Sequence, residues 1–143
     1  MKTIFNEHLP NGYYFVEKTS INPADIIKLR ESIGWDKGGS ADDWVKYVDQ
    51  SLATICVQDS DGKLVGAALL VGNTRHAVFC DFTVGLAHQH KGIGNAIMTR
   101  IMQQIELLKI SYVYAELAET NPFREKMMQS GFKMTGNSLF LES

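Results

Sequence analysis

The chain has two cysteines and three prolines among its 143 residues, no long apolar run, and no marked excess of one charge. Cys56 and Cys80 lie inside strand-like runs and not at a metal-ligand or redox spacing, so neither a disulfide framework nor a structural zinc site is indicated. Fourteen Lys and Arg stand against sixteen Asp and Glu, for a formal charge of −2. That balance excludes the broad basic surface of a general nucleic-acid binder. Apolar runs fall well short of the roughly 20 residues of a membrane span. The first residues, Met1 to His8, are too polar for a secretory leader, so a reduced, cytoplasmic setting is expected. What is present is globular: 45% hydrophobic and 21% charged residues. A chain of this length buries about two-thirds of its unfolded surface and needs no covalent staple. No repeat, low-complexity tract or linker divides it, and a single domain over residues 1–143 is expected.

Local patterns then place the elements. Tyr13 to Glu17 follows the turn signal Pro10-Asn11-Gly12 and is rich in strand formers. Asn22 as cap, Pro23 at the first helical position and Asp25 in the first turn mark a helix start; Ile26, Leu29, Arg30 and Ile33 supply a partial apolar face, and Gly34 ends it. Ser40, with Asp43 three residues on, opens a second short helix carrying Trp44, Val45, Tyr47 and Val48. The period then changes. Leu52 to Gln58, Leu64 to Val71 and His76 to Val84 are strand-length runs joined by Asp59–Lys63, with its Asp-Gly, and by Gly72–Arg75: an antiparallel meander. From Gly92 to about Leu108 the stripe Ile93, Ile97, Ile101, Ile105 and Leu108 predicts the longest helix. Tyr112 to Leu117 alternates as a strand; Pro122 to Ser130 reads as a short helix ended by Gly131. Phe132 onward reads as a final strand broken at Thr135-Gly136-Asn137. The order βααβββαβαβ is α+β, or mixed-sheet α/β. The strand–helix–strand step around Gly92 should pair its strands in parallel through a right-handed crossover.

One stretch, Phe79 to Met98, stands apart. A strand runs into a polar loop that opens directly into the longest helix, and Gln89, Gly92 and Gly94 fall at the spacing Q-x-x-G-x-G. Glycines let a ligand approach the backbone, free N–H groups point outward, the helix dipole adds positive potential, and Lys91 adds a charge: the makings of an anion cradle. The alternative is that Gly92 and Gly94 serve only close helix–strand packing. No G-x-x-x-x-G-K-S/T frame is present, and Ile97 breaks G-x-G-x-x-G, so neither the Walker nor the Rossmann loop is matched.

This segment resembles the signature of the GNAT superfamily of N-acetyltransferases, whose pyrophosphate loop reads Q/R-x-x-G-x-G/A. The likeness covers essentially the whole chain. Asp81, Val84 and Leu86 stand at the family's D, V-x-P positions, without the proline; Leu29 to Trp35 is similar to the first helix of a GNAT subgroup; Tyr112–Leu117, Asn121, the short helix and Gly131-Phe132 follow in the family's order. The resemblance implies a mixed sheet with helices on both faces. It also implies acetyl-CoA as co-substrate, without a metal, with the pyrophosphate on Gln89, His90, Lys91, Gly92, Ile93, Gly94 and Asn95. The pantetheine arm would lie along Phe82, Thr83 and Val84 beside a bulge that splays this strand from the next, with a backbone N–H near Val84 on the thioester carbonyl. Asn121, Phe123 and Met127 would flank the other side. It implies direct transfer of the acetyl group to an amine of a small molecule or peptide in a ternary complex.

An alkyl amine, with a pKa of about 10.4, must lose a proton before attack. Asp81 and Glu116 are the candidate bases. Each has a plainer reading: Asp81 pairing with a loop N–H or an Arg, Glu116 facing solvent. Where the family commonly carries a proton-donating Tyr, this chain has Met127, so Tyr114 or Tyr112, water or the departing amine proton would supply the thiolate. His88 and His90 lack a third ligand for a metal; His90 suits contacts near phosphate. Cys80 suits an inert thiol better than an acyl carrier. Trp35 and Trp44 bracket a loop that forms part of the GNAT acceptor pocket, though packing is the simpler reading of either. A non-catalytic acetyl-CoA or CoA sensor, which Met127 favours, and a binding module for another nucleotide are the rival functions. A homodimer through a C-terminal edge strand is compatible with the pattern.

Overall fold

The computed structural model describes residues 8–115, 121, 123–129, 131–135 and 138–142. Its element order is β1 (Tyr13–Val16), α1 (Pro23–Ser32), α2 (Ala41–Gln50), β2 (Ala53–Asp59), β3 (Leu64–Gly72), β4 (His76–Val84), α3 (Ile93–Leu107), β5 (Tyr112–Ala115), α4 (Phe123–Gln129), β6 (Lys133–Thr135) and β7 (Ser138–Glu142). Single 3-10 turns at Lys18–Ser20 and Leu86–His88 were not legible in the pattern.

The strands form a seven-stranded sheet in the order β1-β2-β3-β4-β5-β7-β6. β2 to β4 make the expected antiparallel meander, β1 adds to it antiparallel along β2, and β4 pairs with β5 in parallel across the α3 crossover. The tail differs from the sequence reading. What reads as one interrupted strand is a hairpin, with Thr135 opposite Ser138, and β7 inserts between β5 and β6.

Helices cover both faces. Ile93, Ile97, Ile101 and Ile105 are all buried, and with Met98 and Met102 they pack α3 on Val57, Val65, Leu70 and Phe79. Burial of each such side chain contributes about 2 kcal/mol. On the opposite face Ile26 and Leu29 of α1 and Trp44 and Val48 of α2 cover Cys56, Ala67 and Leu69. Both helix starts behave as their caps foretell. Asn22 Oδ1 accepts from Ala24 N–H, and Ser40 and Asp43 form a full reciprocal capping box. Hydrogen bonds from the backbone and side chain of Ser40 hold the Asp43 carboxyl below its ordinary value.

Candidate active site

β4 carries the irregularity that shapes the site. Leu69 pairs with Cys80 and Ala67 with Thr83, so Asp81 and Phe82 together oppose Ala68. This is a β-bulge, and Asp81 adopts a φ of 55°, a region that non-glycine residues seldom visit. The extra residue re-aims its neighbours. Asp81 lines a cavity of about 640 Å³ with Trp44 and Leu69 on the α1/α2 side. Phe82 lines another, of about 550 Å³, at the head of α3. The parallel ladder between β4 and β5 runs, among the described residues, only as far as Phe79 and Ala115.

The head of α3 is built to leave donors free. His90 (φ 63°) and Gly92 (φ 89°) take left-handed conformations within three residues, which turns successive N–H groups toward one concavity. Gly92 is the N-cap and has no side chain with which to cap. The first helical bond runs from Ala96 N–H to Gly92 C=O at 3.1 Å. The N–H groups of Ile93, Gly94 and Asn95 therefore have no intrahelical acceptor. A Cβ on Gly92 would meet nothing within 4 Å, so the turn opens into space. Gln89 braces the loop: its Nε2 donates to the Val84 carbonyl at 3.0 Å.

The rest of the wall comes from α4 with Asn121 before it, and from Ile33 and Trp35 after α1. Phe82 and Phe123 meet edge to face at 5.1 Å, and Gly94 lies so close that a Cβ there would be 2.6 Å from Phe123 Cζ. Asn121 Oδ1 accepts from Phe123 N–H at 2.9 Å and so caps α4. Lys126 Nζ donates to Asn95 Oδ1 at 3.0 Å, which brings a cation to the head of α3. Tyr13 Oη and His88 Nδ1 are 2.7 Å apart, and Lys91 Nζ donates to the same Tyr13 Oη at 3.4 Å. Among the described residues lining this cavity are His88, His90 and Lys126 and no carboxylate. The field and the free donors both suit an anion.

Of the residues singled out in the sequence, Phe82, Thr83, Val84, Gln89, His90, Gly92, Gly94, Asn95, Asn121 and Phe123 surround this one cavity. Lys91 lies beside it, on Tyr13. Ile93 and Met127 are buried in the core behind it, at 1% and 0% exposure. Asp81 faces the second cavity, where its Oδ1 accepts from Arg30 Nη1 at 2.6 Å, as one of the two sequence readings foresaw. Val113 and Ala115 pack in the α3-side core, so the alternation of β5 turns Tyr114 to the sheet face of Asp81. Its ring is stacked on His76, 6.0 Å between centroids. Glu116 lies outside the described residues. Lys126, Ile33 and Trp35 complete the wall without having been assigned to it; of the two tryptophans for which packing was the simpler reading, Trp44 is buried and Trp35 is 41% exposed. Lys126 had a readable signal, a cation on the short helix that follows Asn121. Arg30 had none beyond its place on α1.

The acetyltransferase (GNAT) family model matches residues 24–132. The chain belongs to the GNAT acetyltransferase family. No curated protein matches it by sequence. Among solved structures, a probable acetyltransferase from methicillin-resistant Staphylococcus aureus superposes with a TM-score of 0.71 at 21% identity, over 87% of this chain and 92% of that one. The yncA protein of Salmonella typhimurium, solved with its cofactor acetyl-CoA, gives 0.69 at 16% identity over 92% and 94%. N-acetylglutamate synthase from Neisseria gonorrhoeae, complexed with coenzyme A and N-acetyl-glutamate, gives 0.70 at 16% identity over 91% of this chain and 35% of that one. At these identities the superpositions establish the fold. The mixed sheet, the bulge and the open helix head are thus found in a GNAT chain. Among its described residues no helix is long and apolar enough to cross a membrane, and no three His, Cys, Asp or Glu side chains are grouped to hold a metal ion.

Proposed function

We propose that this GNAT protein, acting as one domain over residues 1–143, transfers the acetyl group of acetyl-CoA to a primary amine by direct attack in a ternary complex. The observation that carries the reading is the uncapped head of α3, with left-handed His90 and Gly92, opening into a cavity lined by Phe82, Thr83 and Val84 of β4. When bound, acetyl-CoA supplies an activated acyl carbon whose C–S bond is exchanged for a C–N bond, the sulfur leaving with one proton. The protein's own groups do the rest. The N–H groups from His90 to Asn95, with Lys91 and Lys126 nearby, hold the pyrophosphate. The main chain of Phe82 to Val84 offers its edge to an amide-bearing arm, in the manner of an added strand. Asp81, whose Oδ1 is committed to Arg30, presents Oδ2 to hold the acceptor ammonium and take its proton. Tyr114, on the same sheet face, is the proposed proton donor to the leaving sulfur. Fixing both reactants against one strand supplies much of the acceleration.

Calorimetry with acetyl-CoA, CoA and ATP, followed by thiol release over a panel of amines, tests this reading. Tight acetyl-CoA binding with amine-dependent thiol release is the expected outcome. Preferential binding of ATP would overturn it. One observation favours a second reading, a CoA-binding sensor: Met127, at the position where a proton-donating Tyr is common, is wholly buried and carries no hydroxyl. That reading requires acetyl-CoA binding with no thiol release on any amine.

A further inference from the structure

The cavity on the α1/α2 side has a composition that narrows its occupant. Leu69 and Val71 of β3 form one wall; Trp44 and Tyr47 of α2, whose rings meet edge to face at 5.2 Å, form another. Trp44 is 2% exposed, while Tyr47 is 41% exposed and presents its ring at the rim. Arg30 and Asp81 are the ionised groups among the described lining residues, and they are bonded to each other. Arg30 is otherwise committed to the loop between α1 and α2. Its Nε donates to the Asp36 carbonyl at 2.9 Å, its Nη2 lies 3.4 Å from Asp36 Oδ1, and its guanidinium lies 5.1 Å and 5.4 Å from the Trp35 and Trp44 ring centres. No cation among the described lining residues is therefore available to neutralise a carboxylate on an acceptor. Asp81 Oδ2, by contrast, has no partner among the described residues, and its side chain is 31% exposed.

We propose that this cavity takes the acceptor, and that the acceptor is a primary amine with an apolar or aromatic body and no carboxylate. The proposal rests on the acetyl-transfer reading and deepens it. The ammonium donates to Asp81 Oδ2 while the body packs on the exposed ring of Tyr47 and on Val71. Asp81 lines this cavity and Phe82, the next residue of the bulge, lines the other, so an amine held on Asp81 is to meet the acyl carbon across the main chain of the bulge. The ammonium loses one proton to Asp81, and the neutral nitrogen bonds to the acyl carbon as the C–S bond breaks; the second proton the nitrogen sheds balances the one delivered to the sulfur, which departs as a thiol. An amino acid would set its carboxylate beside Asp81 with Arg30 already occupied. A polyamine would bury a second ammonium against Leu69 and Val71. Both carry a desolvation cost that the apolar amine avoids.

The test is thiol release by the full chain at saturating acetyl-CoA with 2-phenylethylamine, L-phenylalanine and spermidine. We expect kcat/KM for 2-phenylethylamine to exceed that for either rival by about tenfold or more. Tyr47→Ala should reduce that preference several-fold and leave the calorimetric affinity for acetyl-CoA as it was. A preference for L-phenylalanine or spermidine, or a preference untouched by Tyr47→Ala, overturns the assignment of acceptor class even with acetyl-CoA binding intact. Turnover with a peptide N-terminus but with none of the three amines overturns it too. Absence of turnover with every amine sinks the underlying transfer reading along with it.

Discussion

Arg30 and Asp81 stand 51 residues apart in the chain, yet a hydrogen bond of 2.6 Å joins them, and the same guanidinium reaches the Asp36 carbonyl. One side chain thus ties the loop between α1 and α2 to the bulge in β4. The Arg30 side chain is only 11% exposed, so the pair is not the solvent-screened kind that contributes little. Arg30→Met keeps the apolar stem and removes the donors. It should lower the unfolding free energy by about 2–3 kcal/mol, because hydrogen bonds to charged groups are lost and Asp81 is stranded. Urea denaturation of the two proteins measures this. A loss of less than about 0.5 kcal/mol would place the pair among idle surface contacts.

Asp81→Asn separates charge from shape. Asparagine Oδ1 still accepts from Arg30, so the bulge survives, but the side chain can no longer hold an ammonium or take its proton. Turnover of an amine at neutral pH should fall by about a hundredfold or more, the range for loss of a positioned base. The calorimetric affinity for acetyl-CoA should be unchanged, since Asp81 lines the other cavity. A wild-type rate would remove Asp81 from the chemistry.

At Gly92 geometry and electrostatics can be told apart. Nothing lies within 4 Å of a Cβ placed there, yet its φ is 89°. Gly92→Ala therefore carries only the left-handed backbone cost, about 1–2 kcal/mol. Gly92→Asp carries that cost and also sets a negative charge at the mouth of a cradle made for anions. The expected order of acetyl-CoA affinity is wild type, then alanine, then aspartate, with aspartate weaker than alanine by about tenfold or more. Equal losses for the two variants would show that no anion is held at the head of α3.

These sites differ in how far the chain announced them. The head of α3 is local in sequence: strand, turn, glycines and helix follow one another, and short-range patterning was enough to single out Gln89, Gly92 and Gly94, which line one cavity; Asn121 and Phe123, from a distant segment, came only with the family resemblance. The capping box at Ser40 and the isoleucine stripe of α3 were legible for the same reason. The Arg30–Asp81 bond is a tertiary event, and nothing in the neighbourhood of either residue specifies the other. The C-terminal hairpin was misread because its two strands are three and five residues long, too short for alternation to separate a turn from an interruption. Lys126 was passed over because a charge on a short helix reads as solvated until Asn95 is seen beside it.

Cys56, wholly buried beneath α1 and α2, offers a pH test that does not touch the site. Burial disfavours the thiolate and pushes the thiol from 9.0 up to about 12. Below pH 9 the folded and unfolded chains both keep this proton, and Cys56 adds no pH dependence. Above it the unfolded thiol ionises while the folded one does not, so stability falls as pH rises, by about 1.4 kcal/mol per unit until the folded value is reached. Every other ionisable group is shared with Cys56→Ala and cancels in the difference between the two proteins. The stability margin of wild type over Cys56→Ala should therefore shrink by about 2 kcal/mol between pH 8 and pH 10.5. A margin constant across that window would mean that the thiol ionises as readily in the fold as out of it, which a closed interface between β2 and the two helices does not permit.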